Sequence, residues 1–208
     1  MLIQEKRKET KNSWLIDYFK GEDVFLVASG ASLNGFDFSR LDEKNVIAIN
    51  HSYSYVKHNI LVFLDASFHQ GLELKGDSIE KMSCKIITGE SSHTEKLDNI
   101  SLVKMAQVPS SNPDYLFGSR QSGLVALNAA LISNAKNIYL LGFDCRFING
   151  LCHFYHHSCN HPKDYKQLRY ERAVYDYLYF AHHKNIFNCS KNSLITAFDY
   201  KDIEEALK

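Results

Sequence analysis

The sequence has no excess of either charge: 24 Lys and Arg stand against 24 Asp and Glu over 208 residues. Without a basic surplus, nothing draws the molecule as a whole to nucleic acid or to an anionic membrane. No apolar run approaches the roughly 20 residues that cross a bilayer. Proline is scarce, at three, and the one breaker cluster, from Pro109 to Pro113, is too short for an interdomain linker. There is no internal repeat and no low-complexity tract. The five cysteines (Cys84, Cys145, Cys152, Cys159, Cys189) are odd in number and scattered, and no leader-like segment precedes them. The expectation is a reducing cytoplasm and no disulfides.

What is present is an alternation of short apolar runs and helical stretches. The length suits one domain with a sizeable core, expected over residues 22–208 after a helical extension at 1–21. That extension carries Lys6, Arg7, Lys8 and Lys11 ahead of a helix expected over 12–20, capped by Asn12 or Ser13 and ended near Gly21. Packing on the domain edge is one use for it, and peripheral membrane contact is the other. Strands are expected at 23–28, 45–50, 59–64, 83–88, 99–104, within 136–144 and at 185–190. The best helix reads across 119–133, with Ser119 or Ser122 as its cap. A second is expected over 162–181 with Tyr165, Leu168, Tyr175 and Leu178 facing the core, and a short acidic one over 199–207. This is an α/β fold: a single doubly wound, mostly parallel sheet flanked by helices, Rossmann-like, with a ligand crevice along the carboxyl edge.

The polar residues that end these strands are the candidate site. Residues 24–33 pass from an apolar run into Ser29, Gly30, Ala31 and Ser32. Small side chains there suit either close approach of a phosphate to the backbone or a plain β-to-helix connection. Neither the dinucleotide fingerprint nor the P-loop is present, since Gly30 stands alone and no Gly-Lys-Ser/Thr follows. Asn50 ends the second strand, as a ligand contact or a strand-end amide. Asp65 ends the third, where it could meet a ribose or sugar hydroxyl, hold a metal or cap a helix. Gln121, Ser122 and Gly123 open the best helix with free amides suited to phosphate. Asp144 lies just beyond the carboxyl end of the strand expected within 136–144.

Between Cys145 and His161 the composition changes, with Cys152, His153, His156, His157 and Cys159 close together. The order lacks the paired Cys-x-x-Cys knuckles of stable zinc modules. Proton transfer fits better, because a neutral histidine at a crevice rim takes a proton from an attacking hydroxyl near pH 7.

The succession Ala-Ser-Gly-Ala-Ser-Leu33, Asp-Phe-Ser-Arg-Leu41, Ala-Ile-Asn50, Val-Phe-Leu-Asp65, Gln-Ser-Gly123 and Ile-Tyr-Leu-Leu-Gly-Phe-Asp144 resembles the bacterial sialyltransferases of lipooligosaccharide. It is also similar to the related MptE-like domain of pterin diphosphokinases and flagellin-modifying glycosyltransferases. The resemblance spans roughly residues 22–192. It implies a GT-A-variant fold and an inverting, metal-independent glycosyltransferase of a bacterium or phage, taking a nucleotide sugar, CMP-type or other, and a glycan or other hydroxyl acceptor.

By this resemblance the nucleotide lies on Ser29, Gly30, Ala31 and Ser32, with Asn50 and Asp65 at the base and ribose. Gln121, Ser122 and Gly123 meet phosphate and sugar, and Asp144 joins the donor site. The catalytic histidine falls at His157, in His157-Ser-Cys-Asn160, or at His153 in a shifted register. Tyr155 is the one tyrosine of the short loop placed to help the departing phosphate. No metal and no tightly bound cofactor are implied, and homo-oligomers are common in the family. The alternatives are an MptE-like ATP-dependent diphosphokinase, which would need Mg²⁺ on Asp65 or Asp144, and a nucleotide-binding accessory protein without turnover.

Overall fold

The structure, a computed structural model, describes residues 11–65, 68, 71–72, 79–89, 98–155 and 163–208. Nine strands form one sheet: β1 (Asp23–Val27), β2 (Asn45–Ile49), β3 (Ile60–Phe63), β4 (Lys85–Gly89), β5 (Ile100–Ala106), β6 (Tyr115–Phe117), β7 (Asn137–Leu141), β8 (Ile186–Asn188) and β9 (Asp199–Tyr200). Their order across the sheet is β6-β5-β4-β3-β2-β1-β7-β8-β9, and every pair is parallel. The chain therefore runs outward from β1 to β6, returns to lay β7 on the other flank of β1, and runs outward again. That reversal makes the β1–β7 boundary a topological switch point, where loops diverge and a crevice opens at the carboxyl ends.

The central strands are buried on both faces, which is why they read as continuous apolar runs rather than alternating ones. Val24 and Leu26 of β1 face one core, and Phe25 and Val27 face the other. The first core is filled by helix α1 (Ser122–Ile132) and by Tyr177 and Phe180. The second is filled by Leu33, Leu41, Val56, Phe68, Leu72, Ile79 and Phe154. Helix α2 spans Lys163–Asp176, continuing as a 3-10 turn over Tyr177–Phe180, and α3 spans Ile203–Ala206.

Several local expectations are corrected. No α-helix forms over 12–20; Ser13–Leu15 is a single 3-10 turn. Asn12 gives its side chain to the carbonyls of Leu102 and Pro113 instead of a cap. Asp17 takes a left-handed φ of 61°, so that Phe19 and Gly21 donate to the carbonyls of Ser133 and Asn134 past the end of α1. Satisfying those orphan carbonyls outweighs a short local helix. Helix α1 is capped by neither serine, because Gln121 is its N-cap and makes no side-chain cap bond.

The expected inward stripe of α2 points outward: Leu168, Tyr175 and Leu178 are 46%, 68% and 54% exposed, while Val174, Tyr177 and Phe180 pack on the core. The expectation for Tyr165 lies outside the described side chains. The acidic terminal segment begins with the edge strand β9 rather than helix. Cys152 is disulfide-bonded, against the expectation of none, whereas Cys84, Cys145 and Cys189 are free thiols.

Candidate functional site at the switch point

Two glycines let the ends of the paired strands β1 and β7 lie in close contact. The Gly30 amide donates to the Gly142 carbonyl at 2.9 Å. A Cβ on Gly30 would lie 2.3 Å from that carbonyl and 2.5 Å from Asp144 Oδ2. Gly142 turns the chain with a φ of 71°, and its own added Cβ would meet Leu33 at 2.8 Å. Only glycine tolerates both demands. The space that the sequence seemed to leave for a ligand at Gly30 is filled by the protein.

Asp144 sits beneath the turn, 2% exposed. Its carboxylate accepts from the Ser32 amide at 2.8 Å and from the Ser32 hydroxyl at 2.5 Å, and Ser32 Oγ lies 3.2 Å from Ser190 Oγ. Leu194 donates its amide to the Asp144 carbonyl, and Ser193 donates its hydroxyl to the Phe143 carbonyl at 2.6 Å. The loops after β1, β7 and β8 are thus tied at one buried point. The amides of Gly30, Ser32 and Leu33 are bonded within the protein, so this turn offers a phosphate fewer donors than its sequence suggests.

Beside this knot lies the aromatic end of the His-rich loop. Phe154 packs among Phe38 and Tyr55 in the second core, and its amide donates to the Ser29 carbonyl at 3.1 Å. That anchor brings the neighbouring residues onto the turn. His153 Nδ1 lies 3.0 Å from Ser29 Oγ. The His153 ring stacks on Tyr155 with centroids 5.1 Å apart and planes 12° apart. Tyr55 stacks on Tyr155 from a second direction at 6.1 Å, again at 12°, and His51 meets Tyr155 edge-on at 5.7 Å. Burial pushes the Tyr155 phenol up to about 12, so it stays protonated at neutral pH and can donate.

On the other side of β1, Asn50 takes a left-handed φ of 52°, and the Ser122 hydroxyl points at Asn50 Oδ1 from 3.4 Å. This joins the end of β2 to the start of α1. Gln121 turns away, toward Asp176 Oδ2 at 3.2 Å and the Ala173 carbonyl. Gly123 serves packing, since a Cβ there would lie 2.8 Å from the Tyr177 hydroxyl and 3.0 Å from Phe143. Asp65 is exposed at the end of β3, and Ala31 is buried. The expectation for His157 lies outside the described residues.

The structure thus gathers Ser29, Gly30, Ala31, Ser32, Asp144, His153 and Tyr155 around one strand end, pairs Asn50 with Ser122, and directs Gln121 to α2. Sequence reasoning missed Gly142, Tyr55 and Tyr170, whereas it had placed Ser190, at the end of the last strand, on the ligand side. Burial, with the charges of Cys145 and Asp144 and the nearby Tyr155, drives the Tyr170 phenol well above its ordinary range. The Gly142-Phe-Asp144 spacing carried a readable signal for the first of these, because a glycine directly after a buried strand marks a turn. Tyr55 and Tyr170 come from distant segments and carried none. Cys145, with a φ of 49°, has its thiol pushed up to about 12 by burial and by Asp144, which leaves it inert as a nucleophile. Among the described residues no cluster of three metal-ligating side chains forms, and no helix is long and apolar enough to cross a membrane.

No protein-family model matches the chain, and no curated protein matches it in sequence. Among solved structures it is similar to the sialyltransferase CstII from Campylobacter jejuni in complex with a substrate analogue, cytidine-5'-monophosphate. That likeness is 18% identical with a TM-score of 0.46, covering 87% of this chain and 85% of the other. The same enzyme in complex with CMP-3FNeuAc is 15% identical with a TM-score of 0.42, covering 86% of this chain and 85% of the other. Each is a likeness of fold at low identity and says nothing of this chain's own donor or acceptor.

Proposed function

We propose that this chain is a nucleotide-sugar-dependent glycosyltransferase, sialyltransferase-like, inverting and metal-independent, acting on a glycan or other hydroxyl acceptor. The observation that carries the reading is His153, held 3.0 Å from Ser29 at the carboxyl end of β1, beside the switch point where α/β sheets take their ligands. An imidazole fixed there is suited to general-base work on a hydroxyl.

In this reading the nucleotide lies along the strand ends, with Asn50 and Asp65 toward ribose and base and the start of α1, at Ser122 and Gly123, toward phosphate. His153, or His157, takes the proton of the acceptor hydroxyl. The acceptor oxygen then attacks the anomeric carbon in line, and the bond from that carbon to the phosphate oxygen breaks with its electron pair on the departing nucleotide. Tyr155, protonated at neutral pH, donates a hydrogen bond to that phosphate. Asp144 holds the turn beside the donor.

Calorimetry of the full chain against a panel of nucleotides and nucleotide sugars, followed by transfer and hydrolysis assays on each hit, tests the reading. Transfer that persists in EDTA supports it. Activity abolished by EDTA supports an ATP-dependent diphosphokinase instead, and binding without turnover supports an accessory protein.

A further inference from the structure

The loop that brings His153 and Tyr155 to the end of β1 alternates in burial. Cys152 and Phe154 are 4% and 6% exposed, whereas Leu151, His153 and Tyr155 are half-buried. Phe154 is thus directed into the second core between two rings that stand at the strand end. Its own ring sits in an aromatic socket. Phe38, from the 3-10 turn over Phe38–Leu41, lies 5.0 Å away between centroids, and Tyr55, which follows β2, lies 4.9 Å away edge-on. Phe36 in turn meets Phe38 edge-on at 5.2 Å. The loops after β1 and β2 therefore build the socket, and the loop after β7 supplies the ring that fills it.

Two polar contacts tie the same loop to Ser29. His153 Nδ1 lies 3.0 Å from Ser29 Oγ, and the Phe154 amide donates to the Ser29 carbonyl at 3.1 Å. Both exchange for bonds to water when the loop leaves, so the net gain from each is no larger than the conformational freedom that one ordered residue gives up. Burial of a phenyl ring has no such replacement in water. It takes about 150 to 250 Å² of surface out of solvent, and edge-on aromatic contacts add to the gain. Of the two effects, the apolar one is the larger.

We infer that Phe154 is a positioning residue whose burial in the Phe38–Tyr55 socket holds His153 and Tyr155 at the end of β1, while the Ser29 contacts orient the loop without holding it there. The docking stands on these contacts alone. Only its consequence for transfer rests on the glycosyltransferase reading.

Hydrogen exchange at the amide of position 154, followed by NMR on the full chain without added reductant, tests this. That amide and the Ser29 carbonyl survive in every variant used, and the amides of β7 report global opening beside them. Phe154→Ala should lower protection at 154 by about tenfold or more relative to β7. Phe154→Leu, which keeps an apolar side chain, should retain most of it, and Ser29→Ala should change it by less than about threefold. Protection retained in Phe154→Ala, protection lost in Ser29→Ala, or a wild-type amide that exchanges freely overturns the inference. Should Phe154→Ala fail to fold, Phe38→Leu, which loosens the opposite wall of the socket, takes its place with the same readings. Where transfer is observed, undocking should lower kcat by about 10²-fold rather than raise the donor KM, and an unchanged kcat in an undocked variant overturns the positioning role. Absence of transfer in the wild type counts against the glycosyltransferase reading and leaves the exchange result standing.

Discussion

The Asp144 carboxylate takes two hydrogen bonds from Ser32, one from its amide at 2.8 Å and one from its hydroxyl at 2.5 Å. The two residues lie 112 positions apart, and their bond joins the turns on either side of the switch point. A buried carboxylate needs such donors, and the turn after β1 needs an acceptor for its amide. The contact therefore ties the turn after β1 to the loop after β7.

Asp144→Asn should destabilise the fold. An amide offers one neutral acceptor oxygen where the carboxylate offers two charged ones, so one Ser32 donor loses its acceptor and the other its charged partner, at a cost of about 1.5 to 3 kcal/mol. Urea unfolding of the variant should show a lower midpoint with an unchanged slope. An unaltered midpoint would mean that the carboxylate does not hold the turn.

Gly30→Ala should be damaging, because its Cβ meets a backbone carbonyl at 2.3 Å and a carboxylate that is itself tied down. Overpacking of this kind costs about 1 to 3 kcal/mol or more. Gly71→Ala is the control, since nothing lies within 4 Å of an added Cβ there. Thermal melts should separate the two, with Gly71→Ala at or above the wild type.

His153→Gln should lower transfer by about 10² to 10⁴ with the fold retained. Circular dichroism and the melting temperature report the fold, and initial rates report the chemistry. Full turnover in a folded His153→Gln/His157→Gln double variant would remove both histidines from the mechanism.

Stability should decline on the alkaline side. Burial pushes the phenols of Tyr139 and Tyr155 up to about 12 from an ordinary 10. It pushes the thiols of Cys145 and Cys189 up to about 12 from 9. The folded state thus disfavours ionisation of these groups relative to the unfolded chain. Their contribution is fully present below about 9 and is lost as pH rises toward 12. Urea midpoints measured from neutral pH upward should stay level to about 9 and then fall. A level profile throughout would show that these groups titrate alike in both states.

The strands were legible in the sequence because a parallel strand buried on both faces must be apolar throughout, and β1, β2, β3 and β7 each announce themselves by that run. The polar residues at their carboxyl ends were legible for the same reason, since the run must stop where water begins. The phase of α2 was misread because Leu168, Tyr175 and Leu178 keep a helical period while facing outward, and period alone does not say which side the sheet lies on.

What only the tertiary structure decided is which of these polar residues bond to one another. Gly30 and Ser32 read as a phosphate turn, yet Gly142 and Asp144, just after the neighbouring strand β7, bond to them. Ser29 read as part of that same turn, yet it binds a histidine 124 residues away. Hydrogen-bond capacity is assigned among neighbours in space, and the sequence specifies those neighbours only through the pairing of β1 with β7.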